Sequence, residues 1–173
     1  MKISAQEEYG LRCLLRLARA QSDEHHPTIS EIAAAEKLSV PYVAKLLSVL
    51  RQAGLIDSVR GRVGGYRLTQ PPDEVRLGSV LLALGEPLFD DPGYCERHAG
   101  TEKGSICVHH DGCTLRGLWQ TLGEWMRRLL DRITLGDLLE SEGQIADVVR
   151  ARLAESVRIT DLPMVTLATV SAD

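Results

Sequence analysis

Three of the four cysteines, Cys95, Cys107 and Cys113, fall in one polar, glycine-containing stretch with almost nothing apolar to pack against. Burial does not account for them, and clustered thiols in an otherwise ordinary chain point to metal or redox chemistry. Their spacing, C-x11-C-x5-C, is not the paired pattern of a zinc ribbon. Three widely spaced thiolates suit an iron–sulfur cluster that completes its coordination elsewhere in the molecule. Zinc competes on equal terms at this level. His98, His109 and His110 share the stretch, and three cysteines with one histidine are a common structural zinc set. Cys113 directly precedes a long helical pattern, whose positive end favours an anionic cluster. Cys13 stands apart beside Leu14 and Leu17 on the apolar side of the first helix, and reads as a plain buried thiol.

The basic residues offer a second kind of chemistry. The chain carries 20 Lys+Arg against 24 Asp+Glu, a net charge of -4. Between positions 37 and 67, however, Lys37, Lys45, Arg51, Arg60, Arg62 and Arg67 face Asp57 alone. Positive charge is therefore local, as on a surface that meets phosphate while the rest of the molecule stays acidic. Its sharpest element is Arg60-Gly61-Arg62-Val63-Gly64-Gly65, a turn between two strand-like runs. Loops that cradle a nucleotide phosphate run from a strand into a helix, so this turn is not read as one.

The hydrophobic pattern supplies the frame for both groups. Residues 4–20 read as a helix with Leu11, Leu14, Leu15 and Ala18 on one face, and 21–27 as a polar loop carrying His25 and His26. Ser30 is expected to cap a short helix through Glu36, and Ser39 a second helix that tolerates Pro41 in its first turn. In the second helix Val43, Leu46, Leu47 and Leu50 form the buried face, turning Pro41, Tyr42, Lys45, Ser48 and Arg51 outward. Gly54 ends it, and strands at 55–59 and 66–69 enclose the arginine turn before Pro71 and Pro72. Helix-turn-helix followed by a basic-tipped hairpin is a winged helix. A helix fits the major groove of DNA, arginines on a narrow hairpin can enter the minor groove, and phosphate contacts supply affinity. The expected DNA contacts are Ser39, Tyr42, Lys45, Arg51, Arg60 and Arg62.

Beyond the wing, 75–84 reads as a short helix and 85–94 as loop. Residues 114–133 read as a long helix striped by Leu115, Leu118, Trp119, Leu122, Trp125, Met126, Leu129, Leu130 and Ile133. Such a stripe calls for a partner helix, so a homodimer is expected. The fold class is mainly α with a small β-wing, a winged helix-turn-helix plus a long dimerisation helix. Its expected divisions are a DNA-binding domain over 1–72, a connecting helix and loop over 73–94 and a cysteine loop over 95–113. The dimerisation helix covers 114–139, and an extension over 140–173 holds a helix near 145–157 and a β-prone run at 165–170. Glu7, Glu8, Arg12, Arg16 and Arg19 interrupt the first twenty residues, which rules out the apolar core of a signal peptide. No later segment could span a bilayer, so a cytoplasmic location is expected. No nucleophile, base and orienting group form a recognisable catalytic motif, so no enzyme is expected.

Several of these runs together resemble the Rrf-two family of winged-helix bacterial transcriptional regulators, over residues 1–139. They are the opening Met-Lys-Ile-Ser with an acid at Glu8, Ser-Val-Pro-Tyr-Val-Ala-Lys from Ser39, and Leu-Arg-Gln-Ala-Gly-Leu-Ile from Leu50. Ser-Val-Arg-Gly-Arg-Val-Gly-Gly-Tyr-Arg-Leu-Thr from Ser58, the three loop cysteines, and Thr-Leu-Gly-Asp-Leu-Leu from Thr134 complete the set. The wing, with its double glycine and Tyr66, is the specific part. The resemblance implies a homodimer with crossing long helices and a winged helix at each end. In its IscR-like and NsrR-like sensing branches it implies a 2Fe-2S or 4Fe-4S cluster on the three loop cysteines.

The fourth ligand differs between branches. In the IscR-like branch it is a histidine three residues after the last cysteine, where this chain has Arg116. In the NsrR-like branch it is a carboxylate from the first helix of the other subunit, and Glu8 occupies the matching place. A related member adds a histidine one turn later, where this chain has Arg12. Glu8 is therefore the expected fourth ligand, with His109 or His110 as fallback. The implied function is a regulator whose operator affinity is set by a cluster sensing redox state, nitric oxide or iron–sulfur status. The alternative is a winged-helix DNA- or protein-binding protein with structural zinc. The gap from Cys95 to Cys107 is wider than the family's commoner spacing, which would let Cys107 and Cys113 bind with Cys95 engaged only part of the time.

Overall fold

The computed structural model describes residues 3–21, 25–61, 64–85, 94–97, 107, 109 and 112–156. The first helix, α1 (Ala5–Gln21), buries Cys13, Leu14, Leu17 and Ala18. Its start is closed by an exchange in which Ser4 N donates to Glu7 Oε2 at 2.7 Å and Glu7 N to Ser4 Oγ at 3.2 Å. Glu7 is consequently buried, whereas Glu8 is exposed.

The helix-turn-helix comprises α2 (Ile29–Glu36) and α3 (Val40–Gln52). Thr28, not Ser30, caps α2. A reciprocal cap needs an acid or amide three residues on; Thr28 has Glu31 there, while Ser30 has Ala33. Thr28 Oγ1 accepts from Glu31 N, and the Glu31 carboxylate accepts from Thr28 N at 2.7 Å. Ser39 does precede α3, but its hydroxyl makes no capping hydrogen bond, and Pro41 sits in the first turn. Val43, Leu46, Leu47 and Leu50 are fully buried and pack with Leu14, Leu17 and Ile32 into one core.

Gly54, at a φ of 73°, turns the chain out of α3 into the wing. Strands β1 (Ile56–Val59) and β2 (Gly65–Leu68) pair antiparallel, with Ile56 opposite Leu68 and Val59 opposite Gly65. The first begins one residue later than expected and the second is shifted by one toward the tip, while Leu55 and Thr69 at the base of the hairpin are still joined by a hydrogen bond from Thr69 N to Leu55 O. The double glycine has a steric cause. A Cβ on Gly65 would run into the carbonyl oxygen of His26, and one on Gly64 into that of Val59. The 26–27 backbone lies this close because Tyr66 N donates to Pro27 O at 3.0 Å.

The helix α4 (Leu77–Leu84) follows a 3₁₀ turn at Pro72–Glu74. Val75 is not its first residue but a buried link. Leu135 N donates to Val75 O and Leu77 N to Ile133 O, so the chain returning from the long helix is stitched here. A four-residue helix, α5 (Tyr94–Arg97), carries Cys95, and the long helix is α6 (Thr114–Leu130). It stops three residues before the expected Ile133. Thr134 N donates to Asp137 Oδ2 and Asp137 N to Thr134 Oγ1, a local exchange that competes with helix continuation. The extension forms α7 (Glu142–Ser156), packed on α6; the β-prone run at 165–170 lies outside the described residues. Among the described residues no helix is long and apolar enough to cross a membrane.

Candidate functional site

The basic surface is built by α3 and the wing. With one side of α3 committed to the core, Ser39, Lys45 and Arg51 are left exposed, and so is Arg60 where β1 leaves the sheet. Gly61, at a φ of 116°, lets the tip reverse. Arg62 lies outside the described residues. Tyr42 differs from its neighbours, being half-buried with its ring edge-on to Tyr9 of α1, centroids 6.0 Å apart. It offers at most one edge and its hydroxyl to a ligand, while its ring ties α3 to α1.

That tie belongs to a larger joint. The Arg12 guanidinium lies 5.4 Å from the centre of the Tyr9 ring. Arg12 Nε also donates to Glu36 Oε2 at 2.8 Å, and Arg16 Nε to Glu36 Oε1 at 2.6 Å. Burial pushes the Glu36 carboxyl up, but the hydrogen bonds from Arg16 and Arg12 outweigh it and hold it below its ordinary value of 4.5. Arg12 is in turn held charged, first by Glu36 and further by Glu8. The sequence reading did not find this joint. Its only signal was the pair of arginines one turn apart on α1.

The thiols divide as expected. Cys13 is completely buried, and burial pushes its thiol up to about 11, so it stays protonated and inert. Cys95, Cys107 and Cys113 are each half-buried, with free thiols. Two of them meet at one residue. Cys113 is the N-cap of α6, its Sγ accepting from Arg116 N at 3.3 Å, and Arg116 Nη1 donates to Cys95 Sγ at 3.3 Å. Among the described residues no three His, Cys, Asp or Glu side chains converge as a metal site. Cys107 and Glu8 are therefore not brought to this pair within one chain. His109 is exposed, and His98 and His110 lie outside the described residues.

The long helix is only half covered. Leu129 is 7% exposed, buried within its own chain, whereas Leu115 and Leu118 near the cysteine end are 56% and 48% exposed.

Comparison with known proteins identifies the family and its fold. The family described as "Rrf2: Iron-dependent Transcriptional regulator" matches residues 3–141. The chain belongs to the Rrf2 family. The transcriptional regulator IscR of Aliivibrio salmonicida is 34% identical over 139 residues, covering 80% of this chain and 77% of that protein. Among solved structures, CymR, the global cysteine regulator of B. subtilis, is 32% identical with a TM-score of 0.61, covering 80% of this chain and 96% of that one. IscR of T. potens is 28% identical with the same TM-score of 0.61, covering 87% and 90%. The winged-helix fold with its small β-wing is thus that of Rrf2 regulators. This Rrf2-family protein is a transcriptional regulator of a DNA-binding family and not an enzyme. The family match ends at residue 141, so all of α7 lies beyond it.

Proposed function

We propose that this protein regulates transcription as a homodimer whose operator affinity is set by an iron–sulfur cluster on Cys95, Cys107 and Cys113, with Glu8 of the partner subunit as fourth ligand. The observation that carries the reading is the meeting of the Cys95 and Cys113 thiols at Arg116, on the positive end of α6. The donor set fits such a group: three accessible thiols in a polar stretch, a cationic side chain and a helix N-terminus all favour a bound anion. The cluster would supply sensitivity to oxidants, nitric oxide or iron supply. The chain's own part is to hold the loop and α1 in one arrangement while it is intact. Glu8 suits a donor to another subunit because it points away from its own core. The bare apolar turns of α6 around Leu115 and Leu118 are where a second copy would pack.

In this reading Lys45 and Arg51 take phosphate, Ser39 and the open edge of Tyr42 face base edges or backbone, and Arg60 and Arg62 enter the minor groove. Anaerobic purification with iron and sulfide analysis and a visible spectrum tests the cluster, and a colourless protein with stoichiometric zinc would overturn it. Operator titrations test the interface. Arg60→Ala is expected to cost roughly 1–3 kcal/mol at the specific site, and Lys45→Ala to weaken all sequences alike and flatten the salt dependence. Unchanged affinity in both would exclude this face.

A further inference from the structure

We propose that Arg116 is a positioning residue that clamps Cys95 and Cys113 for the cluster and tunes its reduction potential, an inference that rests on the cluster reading above. Two separate groups of this one residue reach two different thiols. The backbone N–H reaches Cys113 Sγ and the guanidinium Cys95 Sγ, each at 3.3 Å. The first contact is what any N-cap makes with the first turn of its helix. The second is not, since it spans twenty-one positions and fixes α5 against the start of α6. A thiolate bound to iron keeps lone pairs for hydrogen bonds, so both contacts can persist when the cysteines are ligands.

A guanidinium has no lone pair to give and stays charged, so Arg116 cannot itself be a ligand. It offers a fixed positive charge and a hydrogen bond to a coordinating sulfur. Reduction adds one electron, and with it one negative charge, to the cluster. A cation and a donor beside the sulfur favour that state and raise the potential. They also lower the tendency of Cys95 to let go, the weakness that the wide gap before Cys107 would otherwise create.

The test uses the full chain, reconstituted anaerobically, as wild type, Arg116→Gln and Arg116→Lys. Glutamine keeps the backbone N–H to Cys113 and removes the charge; lysine keeps the charge but not the planar fork. Midpoint potentials are read by titration with dithionite and mediator dyes, and cluster retention by bleaching in the presence of a chelator. Arg116→Gln is expected to show a lower potential and roughly 10-fold or faster iron loss, with Arg116→Lys recovering most of the potential. A coloured wild type with the same potential and bleaching rate in Arg116→Gln overturns the clamp and leaves the cluster reading intact. A colourless wild type overturns both. Should the glutamine variant fail to fold, Arg116→Ala, which suits a first helical turn, is decided by the same two readings.

Discussion

Replacing Glu36 with glutamine would open the joint between α1 and the helix-turn-helix while leaving its volume unchanged. The Glu36 side chain is 9% exposed and accepts from Arg12 Nε at 2.8 Å and Arg16 Nε at 2.6 Å. A hydrogen bond to a charged group contributes roughly 1.5–3 kcal/mol when shielded, but the two arginines are about two-fifths exposed and solvent screens them toward the low end. Glutamine keeps one acceptor oxygen and turns an NH₂ toward the other guanidinium. The net expected loss is about 1–2 kcal/mol, read as a lower urea midpoint with unchanged slope for the thiol-reduced, metal-free protein. The pH dependence fixes the cause. The folded carboxyl lies below its ordinary 4.5, so its contribution is fully present above that value and disappears as pH falls through the folded value. Wild type and Glu36→Gln should differ at about pH 7, and the gap should close as pH falls progressively below 4.5. Equal midpoints at pH 7, or a gap that stays constant through the acid range, would refute the assignment of this stability to the carboxylate.

Gly65→Ala should destabilise the wing by roughly 1–3 kcal/mol, because the new methyl overlaps the His26 carbonyl, and thermal melting with operator titration would show both losses. Leu118→Glu should leave the fold within about 0.5 kcal/mol of wild type while shifting sedimentation toward monomer at micromolar concentration; an unshifted profile places the dimer seam elsewhere. Glu8→Ala should leave operator binding by cluster-free protein intact yet change the cluster's visible spectrum or its lifetime in air. If only His109→Ala or His110→Ala changes them, the fourth ligand lies in the loop.

The winged helix was legible because its signals are local and redundant. Val43, Leu46, Leu47 and Leu50 repeat at helical spacing, Gly54 takes the left-handed conformation at the end of α3, and all four apolar positions fall in the core. The cap of α2 was misplaced by two residues because Ser30 is a good capping residue by itself; only the partner three positions on decides, and that is Glu31 for Thr28. The end of α6 was overrun for a different reason. Ile133 continues the helical spacing, but it is buried by the chain's return to Val75 and Leu77, a pairing across more than fifty positions that periodicity does not encode. The same limit applies to the stripe of α6. The pattern marks Leu118 and Leu129 alike, yet Leu129 is buried within its own chain and Leu118 is not. The thiols were found from composition, while the role of Arg116 was hidden, since arginine looked only like the absence of an expected histidine.

In the proposed dimer, the start of α1 would join the two halves of the site. Within two turns it holds Glu7 turned inward as a cap, Glu8 turned outward, Tyr9 against Tyr42 of α3, and Arg12 on Glu36 at the end of α2. Tyr42 lies in the first turn of α3, between Ser39 and Lys45, both proposed to meet DNA. A movement of α1 must therefore either break the Arg12–Glu36 ion pair and the ring contact or carry Tyr42 with it. Carrying Tyr42 along is the less costly response, because the α1–α3 core of Leu14, Leu17, Leu46 and Leu47 is close-packed and moves as a unit. A ligand that pulls on Glu8 from another subunit would then act on the orientation of the whole reading head. The wing would follow, since Ile56 and Leu68 are anchored in that same core. In the proposed mechanism, sensing would need no unfolding of the winged helix, only that α1 be held in one place when Glu8 is bound and released when it is not.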